Sequence, residues 1–324
     1  MRPRTRGIST VVDVAMALFL ITASIGIVMA FLDTGSANTP ETAERTANTL
    51  AGTTMNTSYS LIPIRDEEEF DDKGYSDDAY ERQSYGSVAG EIAAATVVNA
   101  RFNDTAGDDA GDTELLTKEG VRYSRAVEGQ TLEMLSATNS DARVTAIWRP
   151  YEDAEIEGRQ QYGPTPPGDA DVSTETITVP SSIPKSDESK IESAYSPSRI
   201  DWQAAAEPVA KAIIEGYFPP EEMQLSLEAQ RFERSLAVYR YLRMADIVGE
   251  DFDPEDGSDP LSRTGADATT ANERLATSSG GNLTSAIAAD MNESYDADEI
   301  ESGAELADRV STERVTITIE TWNT

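Results

Sequence analysis

The stretch Val315-Thr316-Ile317-Thr318-Ile319-Glu320 lies near the end of the 324-residue chain and alternates branched apolar residues with polar ones. Because successive side chains of a strand point to opposite faces, this pattern predicts a β-strand with one buried face and one wet face. Alternation also predicts strands at 144–148 and 176–179. We expect the three strands to share one small, mostly antiparallel sheet.

Other segments carry apolar residues at helical intervals, which predicts amphipathic helices. These segments are 88–102, 115–135, 198–218 and 225–248, and a further helix is predicted at 41–52, after Pro40. We therefore predict an α+β domain over residues 41–324, in which helices cover one face of the sheet. The proline-rich stretch 164–168 is a possible sub-boundary. The acidic, Gly/Ser/Thr-rich stretch 250–282 predicts a mobile loop.

The composition excludes several classes of function. Lys+Arg 26 against Asp+Glu 59 gives a net charge of -33, and no basic stripe follows the first six residues, so nucleic acid is not an expected partner. The chain has no histidine and no cysteine, which excludes disulfides, thiolate or imidazole zinc sites and histidine-dependent triads. Few of the basic residues are lysines, and this pattern resembles haloarchaeal proteins, whose surface carboxylates hold hydrated cations.

The first 40 residues contain the strongest membrane signal. Residues 14–32 are uncharged and mostly apolar, and Arg2, Arg4 and Arg6 precede them. A helix over 8–32 is long enough to cross a bilayer, and the positive-inside rule places leader 1–7 in the cytoplasm. Residues 33–40 form a polar linker to an extracellular domain, so we expect a single-pass protein of the cell membrane. A cleavable signal peptide, cut after Ala37, is the alternative.

The order Arg6-Gly7-Ile8 followed by an apolar helix resembles the class III signal of archaeal type IV pilin-like proteins. The resemblance implies that a prepilin peptidase cuts after Gly7, so that Ile8 becomes the first residue and the helix is retained. It also implies that Asp13 pairs with the N-terminal amine of a neighbouring subunit; the alternative is a hydrated Asp13 at the membrane interface. Haloarchaeal pilins more often have Val-Ser-Pro after the cut, whereas this chain has Ile8-Ser9-Thr10.

Two further segments, Trp148-Arg149-Pro150-Tyr151 and Pro164-Thr165-Pro166-Pro167, extend the resemblance. Together with the leader, they are similar to an uncharacterised haloarchaeal membrane-anchored family associated with pilus or secretion-type apparatus. The resemblance implies a location and a context for the chain, and it implies no catalytic residue.

No catalytic, cofactor or metal site is predicted. The Walker A, nucleophile-elbow and dinucleotide motifs are absent from the sequence. The acidic stretch 250–259 fails the EF-hand template, because Asp256 stands where glycine is required and Ser262 where a bidentate glutamate belongs. Four sequons are candidates for glycosylation, at Asn56, Asn103, Asn282 and Asn292.

We therefore expect a non-enzymatic, membrane-anchored surface protein that serves as a pilin-like or secretion-apparatus component. Its expected partners are the lipid bilayer, prepilin peptidase, and sister pilin-like subunits or other membrane proteins of the apparatus. A monomeric, signal-anchored envelope-binding module or receptor is the alternative. A tethered hydrolase that uses paired carboxylates is a third hypothesis, since 59 acids make such pairs easy to find.

Overall fold

A computed structural model describes residues 40–103, 113–137, 141–277 and 282–323. Its central element is a six-stranded sheet in which every neighbouring pair is antiparallel. The strands, in their order across the sheet, are β4 (Thr113–Leu115), β3 (Arg101–Asn103), β6 (Ile156–Tyr162), β5 (Asp141–Trp148), β10 (Arg314–Trp322) and β7 (Ser173–Pro180). The strands predicted at 144–148, 176–179 and 315–320 are thus confirmed as three neighbours in one sheet.

The sheet has one buried face and one open face. Val144 and Ala146 of β5 and Ile317 and Ile319 of β10 are fully buried. The register places Ala146 beside Ile317 and Val144 beside Ile319, so these side chains form a continuous apolar layer. The alternate residues of the same strands are half-exposed or exposed, except Trp322 at the end of β10, which is buried. The period of two in the sequence therefore separates the two faces, as the alternation predicts.

Helices cover the buried face and build a second layer upon it. They are α1 (Pro40–Gly52), α2 (Val88–Val98), α3 (Gly120–Ser136), α4 (Glu188–Ser193), α5 (Trp202–Tyr217), α6 (Pro220–Glu228), α7 (Phe232–Val248), α8 (Ala268–Thr277), α9 (Leu283–Ser294) and α10 (Gly303–Asp308). Helices α1 and α2 pack on the sheet, and α5 packs on α4, α8 and α9. The Tyr217 hydroxyl donates to the Val97 carbonyl at 2.6 Å, which ties α5 to α2.

Two smaller ladders lie outside the central sheet. Strands β1 (Thr54–Ser60) and β2 (Glu81–Ser87) form an antiparallel hairpin, and β8 (Tyr195–Ser196) pairs with β9 (Arg199–Ile200). Three short 3-10 helices are at Ile62–Asp66, Asp77–Tyr80 and Ala297–Glu299. The hairpin packs against α3, and it becomes one wall of the cleft described below.

The helix predicted at 225–248 is two helices in the structure. Helix α6 ends at Glu228, and Ala229 takes an extended conformation before α7 begins at Phe232. This break shifts the helical phase between the two halves. Leu225, which the periodicity places on the buried stripe, is therefore 71% exposed on α6.

The predicted fold class needs one correction, because it includes a membrane-spanning helix. Within the described residues, no helix is long and apolar enough to cross a bilayer. The predicted span at 8–32, the leader 1–7 and the linker residues 33–39 lie outside the described residues. The fold class of the described part is α+β, with the antiparallel sheet and covering helices that the sequence predicts.

The stretch 250–282, predicted to be a mobile loop, contains a packed segment and a helix. Residues 250–267 form successive turns with Phe252 and Leu261 buried, and α8 follows. The acidic composition of this stretch favours exposure, whereas its two apolar side chains pack into the core. The stretch 164–168 connects β6 to β7, which are strands of one sheet, and the apolar core is continuous across it.

Candidate functional site

A cleft of about 230 Å³ opens between the β1–β2 hairpin, the start of α3 and the middle of α7. We call it the hairpin cleft. Its walls combine aromatic and aliphatic side chains with two arginines and one glutamate. The lining residues are Tyr59, Leu61, Arg82, Val98, Thr117, Glu119, Gly120, Tyr123, Leu236 and Arg240. This mixture suits a small ligand that has both apolar and polar surface.

An ion pair crosses one wall of the hairpin cleft. Arg240 Nε lies 2.8 Å from Glu119 Oε1, and the two side chains are 24% and 14% exposed. Arg240 also donates through Nη2 to the Tyr217 carbonyl at 3.0 Å. Glu119 is the N-cap of α3, where the helix dipole favours a negative charge. The pair therefore joins α7 to the start of α3 and presents both signs of charge to the cleft.

A buried carboxylate lies behind the opposite wall. Glu91 of α2 is only 4% exposed, and it accepts hydrogen bonds from the Ser84 hydroxyl at 2.8 Å and the Tyr123 hydroxyl at 2.9 Å. Burial, with the hydrogen bond to Glu91, raises the pKa of Tyr123. The ring of Tyr59 packs 5.2 Å from that of Tyr123, and burial raises the pKa of Tyr59 as well. Both phenols therefore stay protonated at neutral pH.

The second arginine of the cleft is held by backbone and by an aromatic ring. Arg82 Nη1 donates to the Ala79 and Glu81 carbonyls at 2.8 Å, and its guanidinium lies 4.9 Å from the ring centre of Phe232. These contacts fix the group without neutralising it, since neither carbonyl carries a net charge. The hairpin cleft thus offers fixed cationic and anionic groups between two neutral phenols. Such an arrangement can bind a hydroxylated or zwitterionic ligand, and it supplies no activated nucleophile.

The other buried carboxylates serve the fold. Asp290 accepts from the Tyr151 hydroxyl at 2.5 Å and from the Glu155 amide at 2.9 Å. Asp259 accepts from the Leu261 amide at 2.8 Å and pairs with Arg274 at 3.1 Å. Among the described residues, no group of three or more acidic side chains is placed to hold a metal ion.

The residues singled out by the sequence are spread over the chain. Arg6, Gly7, Ile8 and Asp13, the predicted processing and assembly residues, lie outside the described residues. The four sequon asparagines are not brought together. Asn56 is exposed on β1, Asn103 ends β3, Asn292 is exposed on α9, and Asn282 is buried as the N-cap of α9, where its Oδ1 accepts from the Ser285 amide at 2.8 Å.

The residues of the hairpin cleft were not found by sequence reasoning. The sequence places Arg240 on the wet face of a helix, and nothing in it connects this residue to Glu119, 121 positions earlier. One signal was available. Glu91 is the only charged residue of the helix Val88–Val98, whose other side chains are apolar or small, so it had to be buried with partners.

The fold and the hairpin cleft define an acidic α+β protein built on one antiparallel sheet. The chain belongs to a family of unknown function, DUF7284, whose model matches residues 12–322. No curated protein and no solved structure matches the chain. The family description names no activity, so any function has to be argued from the residues.

Proposed function

We propose that this chain is a non-enzymatic surface protein that serves as a pilin-like or secretion-apparatus component outside the cell membrane. The observation that carries the proposal is the seating of α1. Ala43, Ala47 and Leu50 of this helix are almost completely buried, and α1 packs on β7, β10 and α2. The first helix of the domain is therefore part of the core and does not hang from it as a flexible stalk.

The connection between this helix and the apolar segment is short. Leu32 is the last apolar residue before the polar linker, and the eight residue steps from it to Pro40 reach at most about 29 Å when fully extended. A domain whose first helix is locked into the sheet, on so short a connection, keeps a restricted position relative to its N-terminal segment. A subunit that has to meet its neighbours in a fixed geometry requires this restriction.

The buried carboxylates support a non-enzymatic role. Glu91, Asp259 and Asp290 each accept at least two hydrogen bonds from neighbouring donors. A carboxylate that acts as an acid or base needs access to a substrate proton, whereas these three are occupied by the fold. They are explained as connections between helices, strands and turns.

Mass spectrometry of the N-terminal peptide tests the proposal. We expect the chain extracted from membranes of its native host to begin at Ile8, with Gly7 removed. A matched variant, Gly7→Leu, should keep the leader, because a bulky residue replaces the small one at the cut, whereas Gly35→Leu should be processed like the original chain. A chain that begins at Met1 or Arg2 would refute the pilin-like role, and a start at Asn38 would indicate a secreted protein.

The hairpin cleft favours a second candidate, an envelope-binding module. Arg82, Arg240 and Glu119 provide fixed charges between aromatic walls, which are features of sites for sugars or peptide ends. Thermal shift measurements with uronic acids, neutral hexoses and short peptides test this candidate. Binding that is lost in Arg240→Met and retained in Arg199→Met, a change at an exposed arginine of β9, would favour it.

A further inference from the structure

The open face of the central sheet differs in charge from the rest of the molecule. We call it the arginine–threonine face, and it consists of the residues that alternate with the buried ones. Its members are Arg101 of β3, Glu157, Arg159 and Gln161 of β6, Asp141, Arg143, Thr145 and Ile147 of β5 with Arg149 directly after it, Arg314, Thr316, Thr318 and Glu320 of β10, and Thr174, Thr176 and Thr178 of β7. All are exposed or half-exposed.

Five arginines on this face stand against three acids, which leaves a surplus of two positive charges on a chain with a net charge of -33. Three of the arginines are paired. Arg143 lies 2.6 Å from Glu320, Arg149 lies 2.7 Å from Glu157, and Arg314 lies 2.9 Å from its neighbour Glu313. Glu313 is not a member of the face, so these pairs use two of its three acids. Arg101 and Arg159 are the two arginines of the face that make no close ion pair with the described residues.

These two arginines lie together, and within the described residues both side chains are exposed. Arg101 is exposed and makes no ion pair with any part of the chain that the structure describes, and Arg159 is 56% exposed with its nearest acid, Glu157, at 3.9 Å. Arg101 of β3 is directly opposite Glu157 of β6, and Arg159 is two positions further along β6. Such diagonal neighbours on adjacent strands lie about 7 to 8 Å apart at the backbone. Next to them, Thr145, Thr318 and Thr176 form one row of hydroxyls across three strands.

The complementary surface is on the helical side of the same chain. In the turn at residues 251–256, which we call the acidic turn, the four carboxylates of Asp251, Asp253, Glu255 and Asp256 are exposed. The stretch 250–262 contains no basic residue. The acidic turn is held in place, because the Asp253 amide donates to Asp259 at 3.1 Å and the Arg274 guanidinium lies 4.3 Å from the ring centre of Phe252.

We propose that the arginine–threonine face of one copy of this chain docks the acidic turn of a second copy. One copy cannot make this contact with itself, because the open face points away from the helices and the acidic turn packs beside α8 in the helical layer. The planar guanidinium matches a carboxylate in two parallel hydrogen bonds, so the pairing of Arg101 and Arg159 with the turn is specific as well as attractive.

This contact is heterologous, because two different surfaces of the chain meet. Every oligomer still presents one free face at one end and one free acidic turn at the other, so the copies add head to tail instead of closing as a two-fold dimer. The inference deepens the proposed function, on which it rests, by naming the sister copy as partner and the two surfaces that join. In about 1 M salt the electrostatic screening length is about 3 Å, which is close to the nitrogen–oxygen distance of a direct guanidinium–carboxylate contact. Such contacts therefore persist in high salt, whereas long-range attraction between the surfaces is lost.

Light scattering on the full chain in mild detergent tests the proposal with two variants. The face variant carries Arg101→Gln and Arg159→Gln, and the turn variant carries Asp253→Asn and Glu255→Gln. A matched control carries Lys190→Gln and Arg199→Gln, which makes the charge change of the face variant at two exposed sites on α4 and β9. Far-UV circular dichroism establishes that each variant is folded at the salt concentrations used.

We expect the original chain and the control to associate progressively, and each of the two variants to associate at least about tenfold more weakly. An equal mixture of the two variants should form one-to-one dimers that grow no further, because only one intact face and one intact turn remain to meet. An original chain that is monomeric at about 100 µM, a face variant that associates normally, or a mixture that stays monomeric would each overturn the proposal. The two proposals can fail separately. A chain that begins at Ile8 but stays monomeric would reject the docking proposal and leave the pilin-like role intact. A chain that associates but begins at Met1 would reject the pilin-like role and leave the docking proposal intact.

Discussion

Arg274 on α8 is the residue on which the packed segment 250–267 depends. Its guanidinium donates to Glu250 at 2.7 Å and to Asp259 at 3.1 Å, and both acidic side chains are more than nine-tenths buried. It also lies over the ring of Phe252. The substitution Arg274→Ala removes the cation that both buried carboxylates share, so we expect a large loss of stability.

The size of the loss follows from the burial of the partners. Removing one member of a buried ion pair costs about 3 to 5 kcal/mol. Two features reduce this figure here: Arg274 is itself 31% exposed, and Asp259 keeps two backbone donors. We therefore expect Arg274→Ala to lower the free energy of unfolding by about 2 to 3 kcal/mol.

Arg309 provides a matched control. Its side chain is also 31% exposed, and it also lies near an aromatic ring, that of Tyr295. Its partner Glu305 is four residues earlier on α10 and is 36% exposed, so the pair is worth only about 0.3 to 0.5 kcal/mol. Urea denaturation of the two alanine variants measures the difference. Equal losses in both variants, or a loss below about 1 kcal/mol in Arg274→Ala, would refute the reasoning.

Three further predictions concern the core and the pH dependence. Tyr123→Phe leaves the buried carboxylate of Glu91 with one hydrogen-bond donor fewer, so the free energy of unfolding measured with urea should fall by about 1 to 3 kcal/mol. Tyr162→Phe is the control: it removes a buried hydroxyl that has no hydrogen-bond partner among the described residues, and the free energy of unfolding should hardly change. Gly158→Ala should prevent folding or destabilise the protein strongly, because a Cβ there would lie 2.3 Å from a carbonyl oxygen of α2. Gly129→Ala adds a Cβ in open space on α3 and should stabilise the protein by up to about 1 kcal/mol. Thermal unfolding of the two variants measures this difference. Hydrogen bonds from the backbone and hydroxyl of the first turn of α8 lower the pKa of Asp267. The charged side chain therefore stabilises the fold above about pH 4, and this contribution is lost as the pH falls through the lower pKa of the folded state. The difference in unfolding free energy between the original chain and Asp267→Asn should shrink between about pH 5 and pH 2, and a difference that stays constant over this range would contradict the prediction.

The sheet and most helices could be predicted because their signals are local. The alternation in 144–148, 176–179 and 315–320 directly encodes which side chains are buried, and β5, β7 and β10 follow it. Strand β6 was missed, since its central residues Glu157 to Gln161 are polar or glycine, and the core that its inner face covers is supplied by distant residues. A single-sequence pattern cannot show burial that another segment provides.

The two surfaces that carry the functional arguments were hidden from the sequence for the same reason. No basic stripe exists along the chain, yet the fold gathers Arg101, Arg143, Arg159 and Arg314 from four strands on one face. Their separation in sequence reaches 213 positions, so only the strand register brings them together. The acidic turn was visible as composition, but its rigidity depends on Arg274, which lies outside it.

Cysteine cross-linking in native cells tests most directly whether the chain assembles with its own copies through these two surfaces. The chain has no cysteine, so the background is empty. Gln161→Cys lies on the arginine–threonine face beside Arg159, and Ser258→Cys follows the acidic turn; both positions are exposed. A chain with both substitutions should give a ladder of disulfide-linked oligomers on a non-reducing gel, and a one-to-one mixture of the single variants should give dimers. Monomers alone in the double variant, or the same products from either single variant by itself, would contradict the account.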